Sequence, residues 1–237
     1  MAKEKENNSA IHAGHRNRMR QRFRENGFKG MHPHEILEML LFYSVPRRDT
    51  NELAHKLIER FGSLSGVFEA SEEQLTSVDG ITKSSATLIK MIIPLYSEYK
   101  KEVGLAKRLK NSTESGEFLL DYYAGMLQER VTVICLDSGC RVLCFDSVCD
   151  GDVSNVVVNF RKLVELIMKY PLTTGVIVVH NHPGGIALPS REDISATVNL
   201  KKTLETMGIT LVDHIIVADN DYISMSSSAG FNYIFKE

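Results

Sequence analysis

The spacing of hydrophobic and polar positions changes near residue 129, and the change divides the chain into two kinds of structure. Before it, apolar residues recur every three or four positions, the period of one helix face. Met19 and Phe23 pair this way inside an arginine-dense run, and residues 35–43 read as a buried helix that stops before Val45-Pro46. Asp49-Thr50-Asn51-Glu52 opens another helix through Leu53, Leu57 and Ile58 to Arg60, with Gly62 closing it. Ser71 caps a short helix, and after Val78-Asp79-Gly80-Ile81-Thr82 a longer one carries Ala86, Ile89, Ile92 and Ile93 on its apolar side. Ser112 or Ser115 is placed to cap a helix covering Phe118, Leu119, Tyr122 and Met126.

Beyond Glu129 the runs are those of strands. Residues 130–136 and 141–146 form a hairpin about the turn Asp137-Ser138-Gly139, and 153–159 is a third extended run. A helix over 160–169 and a strand over 175–180 follow. Ser190 begins a long helix with Ile194, Val198, Leu200 and Leu204 inward, ended by Gly208, before strands over 209–217 and 222–224. Strands and helices mix without strict alternation, so the fold class is α+β, or α/β with a mixed sheet, behind an all-helical N-terminal domain. The expected plan is a disordered tail over 1–10, a helical domain over 11–100, a charged linker over 101–115 and a mixed-sheet domain over 116–237.

Composition narrows the class. Hydrophobic content of 43% and charged content of 24% are those of a globular protein. No apolar run approaches the roughly 20 residues of a membrane span, and the first residues lack the apolar core of a signal peptide. The expected location is cytoplasmic, with no membrane partner. Cys135, Cys140, Cys144 and Cys149 sit in one hairpin without a Cys-x-x-Cys pair, as buried small side chains do and zinc ribbons do not. The net charge of −2 hides an asymmetry: residues 1–110 carry 19 Lys and Arg against 14 acids, and residues 111–237 carry 9 against 16.

Candidate chemistry concentrates in Val176-Ile177-Val178-Val179-His180-Asn181-His182-Pro183-Gly184-Gly185 and the following Pro189-Ser190-Arg191-Glu192-Asp193. On a strand His180 and His182 share a face and Asn181 points away. Two imidazoles and a carboxylate returned by a loop make a three-ligand metal site with an open position. Ser190-Arg191-Glu192-Asp193 also has the form of a helix capping box. An Asp193 that binds metal is then not free to serve as the reciprocal cap.

Two features of the helical half bear on nucleic acid. Arg16, Arg20 and Arg24 form one helix stripe, suited to phosphate contacts and equally to a solvated face. Residues 75–86 resemble a helix-hairpin-helix, in which a turn at Gly80 and the following helix start at Lys83 would meet a DNA phosphate. Thr82 holds the place of that motif's second glycine, so packing or protein contact competes with DNA as its purpose.

His180-x-His182-Pro183 with Ser190 and Asp193 resembles the JAMM signature of MPN-type metalloproteins. The wider text resembles the RadC family over roughly residues 12–235, on several separated motifs in order. They are His15-Arg16, Pro46-Arg47-Arg48-Asp49, Leu136-Asp137, the histidine stretch, Pro189 to Asp193, and Asp213-His214-Ile215-Ile216-Val217. Gly184 stands where the family usually has serine. The resemblance implies a JAMM/MPN-like, cytidine-deaminase-like domain holding one zinc ion on His180, His182 and Asp193. It further implies Ser190 beside a developing oxyanion and an upstream glutamate as general base, Glu129 with Glu165 as competitor. His214 is a candidate partner to a ligand or a structural histidine. The implied activity is zinc-dependent hydrolysis of a peptide or isopeptide-like amide in a protein or peptide substrate, in a DNA-repair or DNA-associated setting. A DNA-binding or DNA-processing accessory protein, or a catalytically inactive scaffold, are the competing classes.

Overall fold

A computed structural model describes residues 2–46, 48–105, 107–150 and 160–236, and only the backbone of residues 2–13, 149, 150 and 160. The extended run expected over 153–159 lies outside the described residues. The chain divides into two compact units, Met1–Pro94 and Leu95–Glu237. No helix among the described residues is long and apolar enough to cross a membrane.

The first unit is helical: α1 (Ala2–Asn26), α2 (Pro33–Leu41), α3 (Asn51–Phe61), α4 (Leu64–Glu69), α5 (Glu72–Thr76) and the first half of α6 (Lys83–Leu105). Local chemistry sets the starts. Ser71 Oγ accepts the Gln74 N–H at 3.2 Å, and Gln74 Oε1 accepts the Ser71 N–H at 2.8 Å. Leu37, Leu41, Leu53, Leu57, Val67, Leu75 and Ile89 form the core on which these helices close. Beside it, Glu38 is buried and accepts from His15 Nε2 at 2.8 Å and Asn51 Nδ2 at 2.9 Å, so the carboxylate ties α1, α2 and α3 together.

Two boundaries differ from the sequence expectation. α1 begins at Ala2, taking in residues 2–10 that were expected to be a disordered tail. Alanine, lysine and glutamate are good helix formers, and extending an existing helix costs far less than nucleating one. The expected linker over 101–115 is instead structured, and the division between units falls earlier, after Pro94 within α6. The polar text there is a helix face and a strand edge. Lys100 pairs with Asp121 at 2.7 Å and Lys101 with Asp146 at 2.9 Å. Leu109 is buried, and its N–H donates to Cys140 O at 3.0 Å.

In the second unit α7 (Ser112–Tyr123) starts at Asn111, whose Oδ1 accepts the Glu114 N–H at 2.8 Å, rather than at Ser112 or Ser115. Among the described residues a five-stranded sheet in the order β2-β1-β3-β4-β5 follows. Its strands are β1 (Arg130–Leu136), β2 (Val142–Asp150), β3 (Gly175–Asn181), β4 (Thr210–Ala218) and β5 (Asp221–Ser224). β1 runs antiparallel to β2 and β3, β3 and β4 are parallel, and β5 is antiparallel to β4. The fold is thus α+β with a mixed sheet.

Both faces of the sheet are covered, which is why β1 and β3 read as continuous apolar runs. Val131, Val133, Cys135, Val176 and Val178 face α8 (Phe160–Met168) and α9 (Arg191–Thr206) through Leu163, Ile167, Leu200 and Leu204. Ile134, Leu136, Ile177, Val179 and Ile215 face α7 through Phe118, Leu119 and Tyr122. The two free cysteines of the hairpin core, Cys135 and Cys144, are cross-strand partners and buried.

Candidate metal centre

The crossover from β3 through α9 to β4 puts the C-terminal end of a strand beside the N-terminus of a helix. His180 continues the face of Val176 and Val178, so it points toward α9, and His182 leaves the strand on the same side. Pro183 ends the strand, and Gly184 turns the chain in the left-handed region at φ 66°. Ser190 caps α9, placing Asp193 in the first helical turn, where the helix dipole favours a carboxylate. Ligand atoms of His180, His182 and Asp193 thereby lie within 4.8 Å of one another.

Hydrogen bonds fix how these groups face. His182 Nδ1 meets Ile186 O at 3.1 Å, and a carbonyl can only accept, so Nδ1 carries the proton and Nε2 presents its lone pair. That Nε2 is 3.8 Å from Asp193 Oδ2. His180 Nδ1 is 3.0 Å from Asp193 Oδ1, while His180 Nε2 is buried without a hydrogen-bond partner. Burial alone would raise the Asp193 carboxyl; hydrogen bonds from His180 and from the Ser190 side chain and backbone outweigh it and hold the group well below the usual carboxylate range.

The same carboxylate closes the capping box and faces the histidines. Asp193 Oδ2 accepts the Ser190 N–H at 2.8 Å and the Ser190 hydroxyl at 2.6 Å, while Oδ1 faces His180. The two oxygens are thus divided between the cap and His180. Ser190 is engaged in the same step. Its single hydroxyl proton goes to Asp193, and its oxygen accepts the Asp193 N–H at 3.0 Å. In this arrangement its hydroxyl proton is committed to the Asp193 carboxylate.

The donor set fits a metal. Ligands about 2.0–2.2 Å from a tetrahedral zinc stand roughly 3.3–3.5 Å apart. The His182 Nε2–Asp193 Oδ2 separation of 3.8 Å is close to that figure. Two imidazoles and one carboxylate are the ligand class of catalytic zinc. An unpartnered buried imidazole nitrogen is a cost that protein groups alone leave in place.

Around this cluster the other candidates separate. The β1–β3 ladder ends at Val131↔His180. Glu129 lies one residue before β1 and two before Val131, which packs toward α8 and α9. Glu165 lies on the exposed side of α8, ion-paired to Arg161 at 2.9 Å, with Leu163 and Ile167 facing the sheet instead. His214, on β4, is buried. Thr197 Oγ1 donates to Asp193 O at 2.6 Å and so must accept from His214 Nδ1 at 2.6 Å. Asn181, set aside in the sequence because alternation turns it from the histidines, is buried and bonded to the main chain around Glu129.

Burial pushes the His214 pKa down to about 4 from 6.5. A histidine neutral when folded and protonated when unfolded contributes stability that is full above pH 6.5 and is lost as pH falls toward 4. The loss amounts to about 3 kcal/mol. Urea unfolding of chelator-treated protein at pH 7 and pH 4.5 measures it, and His214→Gln should flatten the difference relative to wild type. Equal pH dependence in both proteins would show that His214 titrates normally in the fold.

Residues 109–231, which contain this whole arrangement, match the family described as RadC-like JAB domain. A UPF0758 protein of Fusobacterium nucleatum is 35% identical over 219 residues, 89% of this chain and 94% of the relative. The chain belongs to the RadC family. A UPF0758 protein of Carboxydothermus hydrogenoformans is 34% identical over 219 residues, 90% and 95% of the two chains. One from Clostridium perfringens is 31% identical over 193 residues, 81% and 84%.

The matched span contains His180, His182, Asp193, Glu129 and His214, and the residues singled out for DNA lie outside it. In their own unit several of those are already engaged. Arg16 donates to Val45 O at 2.8 Å and to Arg48 O at 2.5 Å, holding α1 to the chain after α2. The Arg20 guanidinium lies 5.7 Å from the centres of the Phe42 and Tyr43 rings. Gly80 has φ 91°, and a Cβ there would meet Leu53 Cδ2 at 2.5 Å, so turn geometry and packing account for it. Thr82 Oγ1 accepts the Ser85 N–H at 3.2 Å, taking up an amide that a phosphate would need. Arg24 and Lys83 are exposed.

Proposed function

We propose that this chain is a zinc-dependent hydrolase of JAMM type that cleaves a peptide or isopeptide-like amide. The observation that carries the reading is the His180–His182–Asp193 cluster at the end of β3. We read Glu129, one residue before β1, onto the same face from strand alternation. His180, His182 and Asp193 would hold the ion. When bound, zinc supplies a Lewis acid that lowers the pKa of water toward about 7 and polarises a carbonyl.

The chain's own residues supply the rest. Glu129 takes the proton of the attacking water and hands it to the departing amine, so one carboxylate serves both steps. His182 keeps its lone pair inward because Nδ1–H is committed to Ile186 O. Ser190 holds Asp193 in the ionised form that a cation requires. Thr197, bonded to Asp193 O and His214, fixes the first turn of α9.

The test is metal content with turnover. Freshly purified protein should carry about one zinc per chain, as the three-ligand set requires. Chelation should remove both the ion and the hydrolysis of a panel of peptide and isopeptide amides, and zinc should restore both. Protein without zinc above background would sink the reading. Zinc without hydrolysis of any amide would favour a scaffold.

A further inference from the structure

Asn181 lies between the two histidines and is 3% exposed. Its Oδ1 accepts the Arg130 N–H at 2.7 Å, and its Nδ2 donates to Gln128 O at 3.1 Å. These belong to the peptide before Glu129 and the peptide after it. Main-chain pairing does not reach that far, because the β1–β3 ladder ends at Val131↔His180. One planar amide therefore grips both peptides that set the direction of the Glu129 side chain. An amide carries the donor and the acceptor on two separate atoms and so meets both peptides at once; a carboxylate lacks the donor for Gln128 O.

We propose that Asn181 is the positioning residue for Glu129, aiming its carboxylate at the metal cluster from the neighbouring strand. The inference rests on the reading of Glu129 as the general base. Asn181 takes no part in holding the ion, since it leaves β3 on the face opposite His180 and His182. The same strand residue run thus does two jobs: alternate positions supply ligands, and the one between them fixes the base. Freed from its clamp, Glu129 would sample other backbone angles, and a displacement near 1 Å is enough to cost about 100-fold in rate.

Cobalt-substituted full-length protein gives a readout besides turnover, the pH midpoint of its visible absorption. A carboxylate aimed at the metal opposes loss of a proton there, so Glu129→Gln should lower the midpoint by about one pH unit. Asn181→Ala should lower it similarly, and the double variant should go no lower than Glu129→Gln alone. Asn181→Thr, polar and suited to a buried strand, cannot bridge both peptides with its single, shorter hydroxyl and serves if the alanine variant does not fold. A wild-type midpoint in the Asn181 variants, with Glu129→Gln displaced, overturns the inference and leaves the base in place. Loss of cobalt from folded Asn181 variants also overturns it, because Asn181 would then be supporting the ligands. A wild-type midpoint in Glu129→Gln overturns the reading of Glu129 itself.

Discussion

His182→Ala should lower zinc affinity by well over 100-fold while leaving the fold intact. Loss of a group that merely orients a ligand already costs 10–100-fold in affinity, and here a ligand itself is removed. The remaining pair cannot compensate, because Asp193 Oδ2 is already shared between the Ser190 N–H and hydroxyl. The substitution breaks one side-chain hydrogen bond, to Ile186 O, at a position outside the hydrophobic clusters. Competition with a chromophoric chelator measures the affinity, and circular dichroism checks the fold. Retained tight, stoichiometric zinc would show that the ion sits elsewhere.

Glu129→Gln separates chemistry from binding. Removing a general acid–base group costs typically 10²–10⁴-fold in turnover. The change is nearly isosteric, and the Asn181 bonds to Gln128 O and the Arg130 N–H remain available. Zinc content should therefore stay at wild-type level while amide hydrolysis falls by about two to four orders of magnitude. Full retention of rate would move the base to another residue. Glu165 is poorly placed to take over, since its carboxylate is paired with Arg161 on the exposed side of α8.

What could be read along the chain was local chemistry. Ser190 was placed as the start of α9 and is its cap, because a hydroxyl followed three residues later by an acid closes a turn on itself. The apolar run before His180 was read as a strand and forms β3, the central strand of a sheet covered on both faces. The polar stretch over 101–115 misled because composition does not separate a solvated linker from a helix face whose lysines meet acids far along the chain. Lys101 and Asp146 are such a pair. Arg16 misled for a related reason. A guanidinium suits a phosphate and a backbone carbonyl equally well, and only the folded unit offered the carbonyls of Val45 and Arg48.

The sequence by itself determined the residue types of the His180–His182–Asp193 cluster, the period-two spacing that puts His180 and His182 on one face, and the cap that brings Asp193 to the start of a helix. All of these act within a few bonds or one turn. Tertiary structure decided the rest. It committed the Ser190 proton to Asp193, shut His214 behind Thr197 as a neutral base, and closed Asn181 over the peptides flanking Glu129. Each is a choice among hydrogen-bond partners distant in the chain, and burial enforces it, because a polar group taken from water must find its partner where the fold provides one.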